Sequence, residues 1–570
     1  MMQGRSISPG IPRAVSVLAA SVTLIAVGLM FLGTFRVGAT WDERIHAQMT
    51  QTFFETGWYA SPDWLVEGQL DDFTGKWPYF VYAPVASLIA HATAALVAGE
   101  PLGGFLDTES AYVGRHIGTA LIASLGIIAV ALIAKAITRS WKWGLLAAAV
   151  LASTPMWVGH GMFNVKDLPV AVGYTMSTLG FVLICRRGYS ESKRTRLVAW
   201  AAIALGVVLA VGTRPASGLP IAITGLGLAA AFSLKSMFRT RWIPAARKWP
   251  GPQPLDSLGA LTLGYLILLA IYPNAFSNPV RLVKETLLIS GRFPVNDPEL
   301  TYGVWLEQPP PWYYLPTWFG AQLTILALIA AGIFVLLSLV TVLQLARRSP
   351  NRPVDPGVFF MAVPVLAQAF LLPVLAIGVR STMYDAVRQF LFVVPAMAIL
   401  ATLGIYSAVA LLGRSKLTRG IVWAVVSLGL VVPVIDQIRL FPYNYVYFNE
   451  FTSLRPINGN WATDYWRASS RELVTLIPPG ETSCQYASEA ESFRPCADDS
   501  SFRPFWSDRG REARPGTLGP DEYWFVRENG GDIQIPETCS LHDEITRPLR
   551  FDELVIAQIL RCSVADSSLS

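Results

Sequence analysis

Apolar stretches long enough to cross a bilayer recur along most of this chain, and they constrain its fold more than any other feature. A membrane-spanning helix needs about 20 consecutive apolar residues. With 52% hydrophobic and 15% charged residues, the chain is too apolar for a water-soluble protein of 570 residues. The sequence therefore predicts a polytopic α-helical membrane protein, with eleven crossings at residues 14–34, 112–137, 142–160, 166–184, 196–212, 217–236, 257–273, 318–346, 356–379, 389–412 and 419–436.

Lysine and arginine residues between the spans predict the orientation of the chain. One further apolar segment, residues 78–99, is ambiguous, and the preference of basic loop residues for the cytoplasm decides whether it crosses. If it does not cross, five short loops with three to five basic residues each face the cytoplasm, and the opposite loops carry few. The predicted topology then has a cytoplasmic N-terminus, an outer loop over residues 35–111 with 78–99 lying along the membrane, and an extracytoplasmic segment 437–570.

This last segment has the composition of a soluble domain. It is polar, with turn signals such as Pro478-Pro479-Gly480 and short alternating runs that favour strands, so we expect a small α/β domain over residues 437–570 that follows a transmembrane catalytic domain over residues 1–436. Four cysteines, Cys484, Cys496, Cys539 and Cys562, lie in it. An even number of cysteines in an oxidising compartment favours disulfides. Three connectivities are open, of which the sequential pairs are the simplest, and the spacing argues against a zinc site.

Two adjacent carboxylates, Asp42 and Glu43, stand at the head of the first outer loop, whose acids far outnumber its bases. Holding a carboxylate near an apolar phase costs desolvation free energy, so carboxylates placed there usually have a function. The alternative is that they are a solvated loop start. A divalent cation could bind to carboxylates of this loop, although their spacing matches no metal motif. The carboxylates are those of Asp42, Glu43, Asp71 and Asp72.

Further charged residues at the outer ends of the spans are suited to transferring a group from a lipid phosphate. A carboxylate can take the proton of an acceptor hydroxyl, and cations stabilise the phosphate that leaves. The candidates are Lys166, Asp167, Arg214, Arg380, Asp385 and Arg388. Each has a structural alternative: Asp167 as a helix cap, Arg214 as an interfacial side chain, and Asp385 as a partner of Arg388. An arginine before a helix is disfavoured by the helix dipole unless it meets an anion, which favours phosphate binding by Arg380 and Arg388.

Several short motifs together resemble the GT-C superfamily of glycosyltransferases, in particular the family-39-like group of protein O-mannosyltransferases and lipid A aminoarabinose transferases. They are Trp41-Asp42-Glu43, the proline-containing segment 76–99, the turn Phe163–Pro169, the segment Tyr384–Phe390, and, as in bacterial relatives, Tyr443–Glu450 and Asp464-Tyr465-Trp466. The resemblance covers residues 14–470. It implies a polyprenyl-phosphate-linked sugar donor, Asp42 as general base with Glu43 shaping the site, an eleven-crossing core and a place in the bacterial inner membrane. The region after residue 470 resembles no family.

Alternative functions remain open at this level. An O-antigen-type ligase or polymerase would use similar chemistry on a lipid-linked oligosaccharide. A flippase or transporter of lipid-linked sugars would have ionisable residues at mid-span and internal repeats, and the sequence has no evident repeat. A receptor with a ligand-binding tail would not need eleven spans. The expected partners are therefore the donor, an extracytoplasmic glycan, lipid or protein acceptor, and membrane lipid, and not nucleic acid.

Overall fold

We describe the fold from a computed structural model, in which the described residues are 10–61, 81–186, 192–233, 254–291, 293, 298–347, 353–412, 415–478, 484–489, 492–496, 502–506, 522–528, 537–550 and 552–563. The described part is mainly helical. Its helices are α1 Arg13–Gly33, α2 Trp41–Thr56, α3 Val85–Ala98, α4 Glu109–Thr138, α5 Trp141–Ala152, α6 Pro155–Phe163, α7 Asp167–Ile184, α8 Lys193–Val211, α9 Gly218–Ser233, α10 Pro254–Ile271, α11 Pro273–Phe276, α12 Pro279–Gly291, α13 Tyr314–Gln322, α14 Ile325–Ala346, α15 Pro356–Gly378, α16 Val393–Leu412, α17 Lys416–Leu440, α18 Ser470–Leu476 and α19 Arg503–Trp506.

The long apolar runs of the sequence form the long helices, which confirms the predicted polytopic helical membrane protein. Within the described residues, eight helices (α1, α4, α7, α8, α14, α15, α16 and α17) are long and apolar enough to span a membrane. The pair α5 and α6, bent by 72°, covers the predicted span 142–160. The predicted spans 217–236 and 257–273 correspond to the shorter helices α9 and α10. All eleven predicted segments therefore contain a helix or a bent pair.

The helix in the ambiguous segment 78–99 is short. Helix α3 has 14 residues, which is about 21 Å at 1.5 Å per residue. That is less than the hydrocarbon thickness of about 30 Å, so α3 alone cannot cross a bilayer. Its packing against α4 leaves Leu96 and Val97 exposed.

Several boundaries differ from the sequence prediction, most clearly in the three spans described here. The predicted span 318–346 is interrupted at Leu323, which is extended, because α13 ends there and α14 begins at Ile325 with the Thr324 side chain as its cap. The predicted span 389–412 begins with a short 3₁₀ turn, Arg388–Phe390, before α16 starts at Val393. Helix α17 continues to Leu440, beyond the predicted end at 436, since Ile438 and Leu440 extend its apolar pattern.

Helix α7 lies at the centre of the bundle. Almost all of its residues are buried, and it packs against α4, α8, α15 and α16. Burial on every side explains why its sequence is apolar all round rather than amphipathic. Its N-terminus, at Asp167, is therefore held rigidly at one end of the bundle, which we call the site end.

The segment after α17 folds back against the site end. A Cβ atom on Gly159 of α6 would come within 2.1 Å of the Tyr445 backbone nitrogen, so the close packing of this segment requires glycine there. Tyr445, Tyr447 and Trp466 are all buried. Residues 441–470 thus form part of the helical core.

Beyond this segment the chain forms a five-stranded sheet. Its strands are β3 Cys484–Glu489, β4 Ser492–Pro495, β5 Glu522–Glu528, β6 Cys539–Leu549 and β7 Asp552–Ser563, in the order β4-β3-β5-β7-β6, and β3 and β5 are parallel. A separate two-stranded ribbon, β1 Glu299–Thr301 with β2 Val304–Leu306, precedes α13. Cys484 is bonded to Cys496 and Cys539 to Cys562, which is the sequential pairing. The division of the chain at residue 436 stays a prediction.

Candidate active site

Asp42 is the second residue of α2, at the site end of the bundle. The helix begins there because Thr40 and Glu43 form a capping box, in which Glu43 Oε2 accepts from the Thr40 backbone amide at 2.8 Å. Glu43 is buried and also lies 3.0 Å from His116 Nε2. The two adjacent acids therefore point to different surroundings: Glu43 supports the start of the helix, and Asp42 faces the cationic residues described next.

Lys166 is the first of these residues. Its Nζ atom lies 2.6 Å from Asp42 Oδ2. The turn between α6 and α7 positions it, because Asn164 Oδ1 accepts from the backbone amides of Lys166 at 3.2 Å and of Asp167 at 2.8 Å. This bond pattern is an Asx-type cap of the following helix, and it aims the buried Lys166 side chain at Asp42.

Arg214 and Arg388 reach Asp167 from two other segments. Arg214 Nη1 lies 2.6 Å from Asp167 Oδ1, and Arg388 Nη1 lies 3.6 Å from Asp167 Oδ2 and 3.9 Å from Asp42 Oδ2. Arg388 Nη2 pairs in addition with Asp385. We call Asp42, Lys166, Asp167, Arg214, Asp385 and Arg388 the charged cluster. It contains three cations and three carboxylates.

The loop before Arg388 has an unusual backbone that the ribbon holds in place. Asp385 and Ala386 have φ values of 55° and 59°, in the left-handed region that side chains other than glycine rarely adopt. The Asp385 amide donates to Glu299 Oε1 of β1 at 2.7 Å. A strained conformation held by such contacts is typical of functional sites.

Aromatic rings cover the cations of the charged cluster. Trp466 lies 5.3 Å from Lys166 and 4.8 Å from the Arg388 guanidinium, measured to the ring centroid. Tyr82 lies 5.7 Å from Lys166 and 5.5 Å from Arg214. Such cation–π contacts hold the cations without neutralising them. Trp466 comes from residues 441–470, so the segment after α17 contributes directly to the site.

The cations control the pKa of Asp42. Burial alone would raise this pKa, but the Lys166 ammonium and the Arg388 guanidinium outweigh burial and lower it to about 2. Burial tends to lower the pKa of Lys166, and the Asp42 carboxylate reverses that effect and raises it. Both residues are therefore charged at neutral pH. Burial and Lys166 lower the pKa of His46 to about 3, so its imidazole is neutral.

A mainly apolar cavity of about 370 Å³ opens at the charged cluster. Asp167, Arg214 and Tyr384 line its polar end. Most of the remainder is lined by apolar residues from α7, α9, α12 and α15 and from the turn before α16, among them Leu219, Leu287, Leu372, Val379 and Phe392. A concave apolar site with a few convergent polar groups is the usual form of a ligand site.

Some predicted site residues lie outside the charged cluster. Arg380 is exposed, with a φ of 52°, next to Val379 and Ser381 of the cavity wall, and it forms no ion pair with any described residue. His46, one helical turn after Asp42, also lies outside the charged cluster and bonds to Tyr59 at 2.7 Å. Asp71 and Asp72 lie outside the described residues. Over the part of the chain that the structure describes, no group of three or more histidines, cysteines and acids is placed to hold a metal ion.

Four residues of the site were not predicted as site residues: Tyr82, Asn164, Glu299 and Trp466. Asn164 and Trp466 belong to motifs that were noticed, Phe163–Pro169 and Asp464-Tyr465-Trp466. Their roles depend on segments far apart in the chain, so no local pattern assigns them. Tyr82 lies in another of these motifs, the proline-containing segment 76–99, whereas Glu299 has no sequence signal that separates it from other loop residues.

Comparison with known proteins finds similar solved structures. The chain is similar to ArnT from Cupriavidus metallidurans bound to undecaprenyl phosphate, with 14% identity and a TM-score of 0.46 over 95% of this chain and 97% of that one. It is also similar to the same protein in the apo state, with 14% identity and a TM-score of 0.45 over 97% and 99%. No protein-family model and no curated protein matches the chain.

Proposed function

We propose that this protein transfers a sugar from a polyprenyl-phosphate-linked donor to an extracytoplasmic acceptor by single displacement. One observation carries the proposal: three cations and a candidate base meet in one cluster, and two members of this cluster, Asp167 and Arg214, line the end of a mainly apolar cavity between the helices. A lipid phosphate has the same two parts, a charged head and an apolar chain. The proposed location is the bacterial inner membrane, with the charged cluster on the extracytoplasmic side.

The phosphate is proposed to bind between Arg214, Arg388 and Lys166. Arg388 Nε and Nη1 are buried and have no hydrogen-bond acceptor among the described residues, and the same is true of Trp466 Nε1. A buried donor without an acceptor costs about 1–3 kcal/mol, which a phosphate oxygen would recover. Bidentate guanidinium groups suit phosphate geometry and stabilise the charge that develops as the phosphate leaves.

Asp42 is the proposed general base. Its side chain is 27% exposed, whereas the Asp167 side chain is 2% exposed and lies between two guanidinium groups. An acceptor hydroxyl can therefore reach Asp42 and not Asp167. As the acceptor oxygen bonds to the anomeric carbon, its proton passes to Asp42, and the bond from that carbon to the phosphate oxygen breaks with its electron pair.

Donor binding is proposed to activate this base. In the structure, Lys166 and Arg388 outweigh burial and hold Asp42 as a weak base with a pKa of about 2. A phosphate that binds Lys166 and Arg388 adds negative charge beside Asp42 and competes for its partners. Both effects raise the pKa of Asp42, so its affinity for the hydroxyl proton rises only when the donor is present.

Binding of undecaprenyl phosphate to the purified full-length protein tests the proposal. We expect Arg388→Gln and Arg214→Gln each to weaken binding about tenfold or more, because each removes a charged hydrogen-bond donor. Arg44→Gln is a matched control, since Arg44 pairs with Asp107 at 3.2 Å outside the charged cluster. Equal binding by all four proteins would overturn the proposed phosphate site.

A further inference from the structure

A second apolar groove lies on another face of the helical bundle, away from the charged cluster. It has a volume of about 470 Å³ and is lined by α14, α16 and α17, from Leu412 and Ile421 at one end to Glu450 and Phe451 at the other. Its walls include Ile329, Ile333, Ile405, Val425 and Leu428 and carry almost no polar surface. None of these residues lines the cavity at the charged cluster.

The groove has the length of one lipid leaflet. From Ile421 to Val432 it follows α17 for 11 residues, which is about 17 Å at 1.5 Å per residue. Half of the hydrocarbon core of a bilayer is about 15 Å. An acyl chain of one leaflet therefore fills the groove from the site end inward.

At the site end, the groove continues into a second cavity, whose lining is mainly apolar and includes four charged residues. Val432, Glu450 and Phe451 line both spaces, and Asp436, Arg439 and Arg550 line only the second, which measures about 470 Å³. The groove thus ends where a headgroup would emerge from the hydrocarbon. Apolar helix faces are ordinary on a membrane protein, because any surrounding lipid covers them. This groove differs because it has the length of one leaflet and ends at charged residues of both signs, which non-specific lipid does not require.

The charged residues at this end differ in how many hydrogen-bond and ion-pair partners they have. Arg550 is buried and is held by Asp436, by the Phe448 carbonyl at 3.0 Å and by the Ser453 hydroxyl at 2.7 Å. Glu450 Oε1 lies 3.6 Å from Arg550, but the buried Oε2 atom has no hydrogen-bond partner among the described residues. Arg439, one turn after Asp436, is exposed and forms no ion pair with any described residue. Among the described residues, one carboxylate oxygen therefore lacks a hydrogen-bond donor, and one exposed guanidinium forms no direct ion pair.

We propose that this groove binds one phospholipid with a zwitterionic amine headgroup, of the phosphatidylethanolamine type. The acyl chain occupies the groove between α14, α16 and α17. The headgroup phosphate pairs with Arg439, and its ammonium group donates to Glu450 Oε2. Because the pair of Asp436 and Arg550 joins the end of α17 to the turn between β6 and β7, and Glu450 lies beside Arg550, the lipid stabilises the contact of the sheet with the helical bundle.

Native mass spectrometry of the full-length protein with equimolar phosphatidylethanolamine and phosphatidylglycerol tests this site. We expect the protein to retain one phosphatidylethanolamine with about tenfold preference, since phosphatidylglycerol has no ammonium group to satisfy Glu450. Glu450→Gln removes the preference and keeps phosphatidylglycerol binding. Arg439→Gln weakens retention of both lipids about tenfold, and Arg36→Gln, at an exposed arginine after α1, changes neither.

A second variant tests the groove itself. Ala408→Phe places a ring in the groove and is expected to abolish lipid retention, whereas Leu125→Phe, on an exposed face of α4, leaves it unchanged. Equal retention of both lipids, or a preference that survives Glu450→Gln, would overturn the proposal. A third outcome would also overturn it: a wild-type dimer, a monomeric Ala408→Phe variant and equal lipid retention by the two. In that case a second copy of the chain, and not a lipid, would cover the groove.

Discussion

The ion pair between Lys166 and Asp42 is predicted to set the low-pH limit of the reaction. In Lys166→Gln, Asp42 remains largely buried and keeps only Arg388, at 3.9 Å, as a cationic partner. Burial then raises the pKa of Asp42 with less opposition. We therefore expect this pKa to rise from about 2 towards the ordinary value of 3.8.

The free energy involved follows from the pKa of Asp42 in the structure and its ordinary value. The difference between 3.8 and about 2 corresponds to roughly 2 kcal/mol of preference for the carboxylate. The sign follows from the lowered pKa: the pair contributes stability above about pH 4, and this contribution is lost as the pH falls through about 2. The variant lacks this contribution.

The assay is the pH dependence of kcat/KM for sugar transfer, which reports ionisation in the free enzyme. We expect the wild type to show no loss attributable to Asp42 down to pH 4. In Lys166→Gln, the low-pH limb is expected to move upward by more than one pH unit, in addition to a lower rate at every pH from weaker phosphate binding. Low-pH limbs that coincide in the two proteins would refute the reasoning, whatever the loss of rate.

Three further predictions concern packing around the site. Trp466→Leu is expected to raise KM for the donor about tenfold with a smaller change in kcat, because the ring holds two cations that are proposed to bind phosphate; steady-state kinetics check this. Gly159→Ala is expected to lower the thermal midpoint by several degrees, since the new Cβ would overlap the Tyr445 backbone; Gly10→Ala, which meets no atom within 4 Å, is the control. Arg550→Gln is expected to cost about 3–5 kcal/mol of stability, measured by thermal unfolding, because Asp436 is left buried without its partner.

The helices could be predicted from sequence because the bilayer imposes a single requirement of length and apolarity. Each predicted span contains a helix, and the errors lie at breaks such as Leu323, where an apolar residue has an extended backbone. Hydropathy measures transfer to an apolar phase and not backbone geometry. It therefore cannot place a kink such as the one between α5 and α6.

The charged cluster could be predicted in part. Asp42, Lys166, Arg214 and Arg388 were selected because charges at span ends are costly, and the structure brings them together. Glu43 and Arg380 satisfied the same argument, yet Glu43 caps its own helix and Arg380 is exposed. Charge and position along the chain do not specify the direction of a side chain.

Trp466 illustrates what sequence reasoning could not reach. Its contacts with Lys166 and Arg388 depend on residues 441–470 folding back onto the bundle. That packing depends on backbone contacts such as the one at Gly159, which leave no periodic pattern in the sequence. Predicting that residues 437–570 form a soluble domain gave no reason to expect a site residue among them.

The measurement that tests the central claim most directly is sugar transfer by Asp42→Asn. Membranes containing the full-length protein are supplied with labelled polyprenyl-phosphate sugars, and transfer is compared with Asp107→Asn at equal abundance; Asp107 is an acid of the same loop that pairs with Arg44 outside the charged cluster. We expect Asp42→Asn to reduce transfer by at least about 10²-fold while it still binds undecaprenyl phosphate. Asp107→Asn is expected to transfer near the wild-type rate. Near-normal transfer by Asp42→Asn would contradict the assignment of Asp42 as the base.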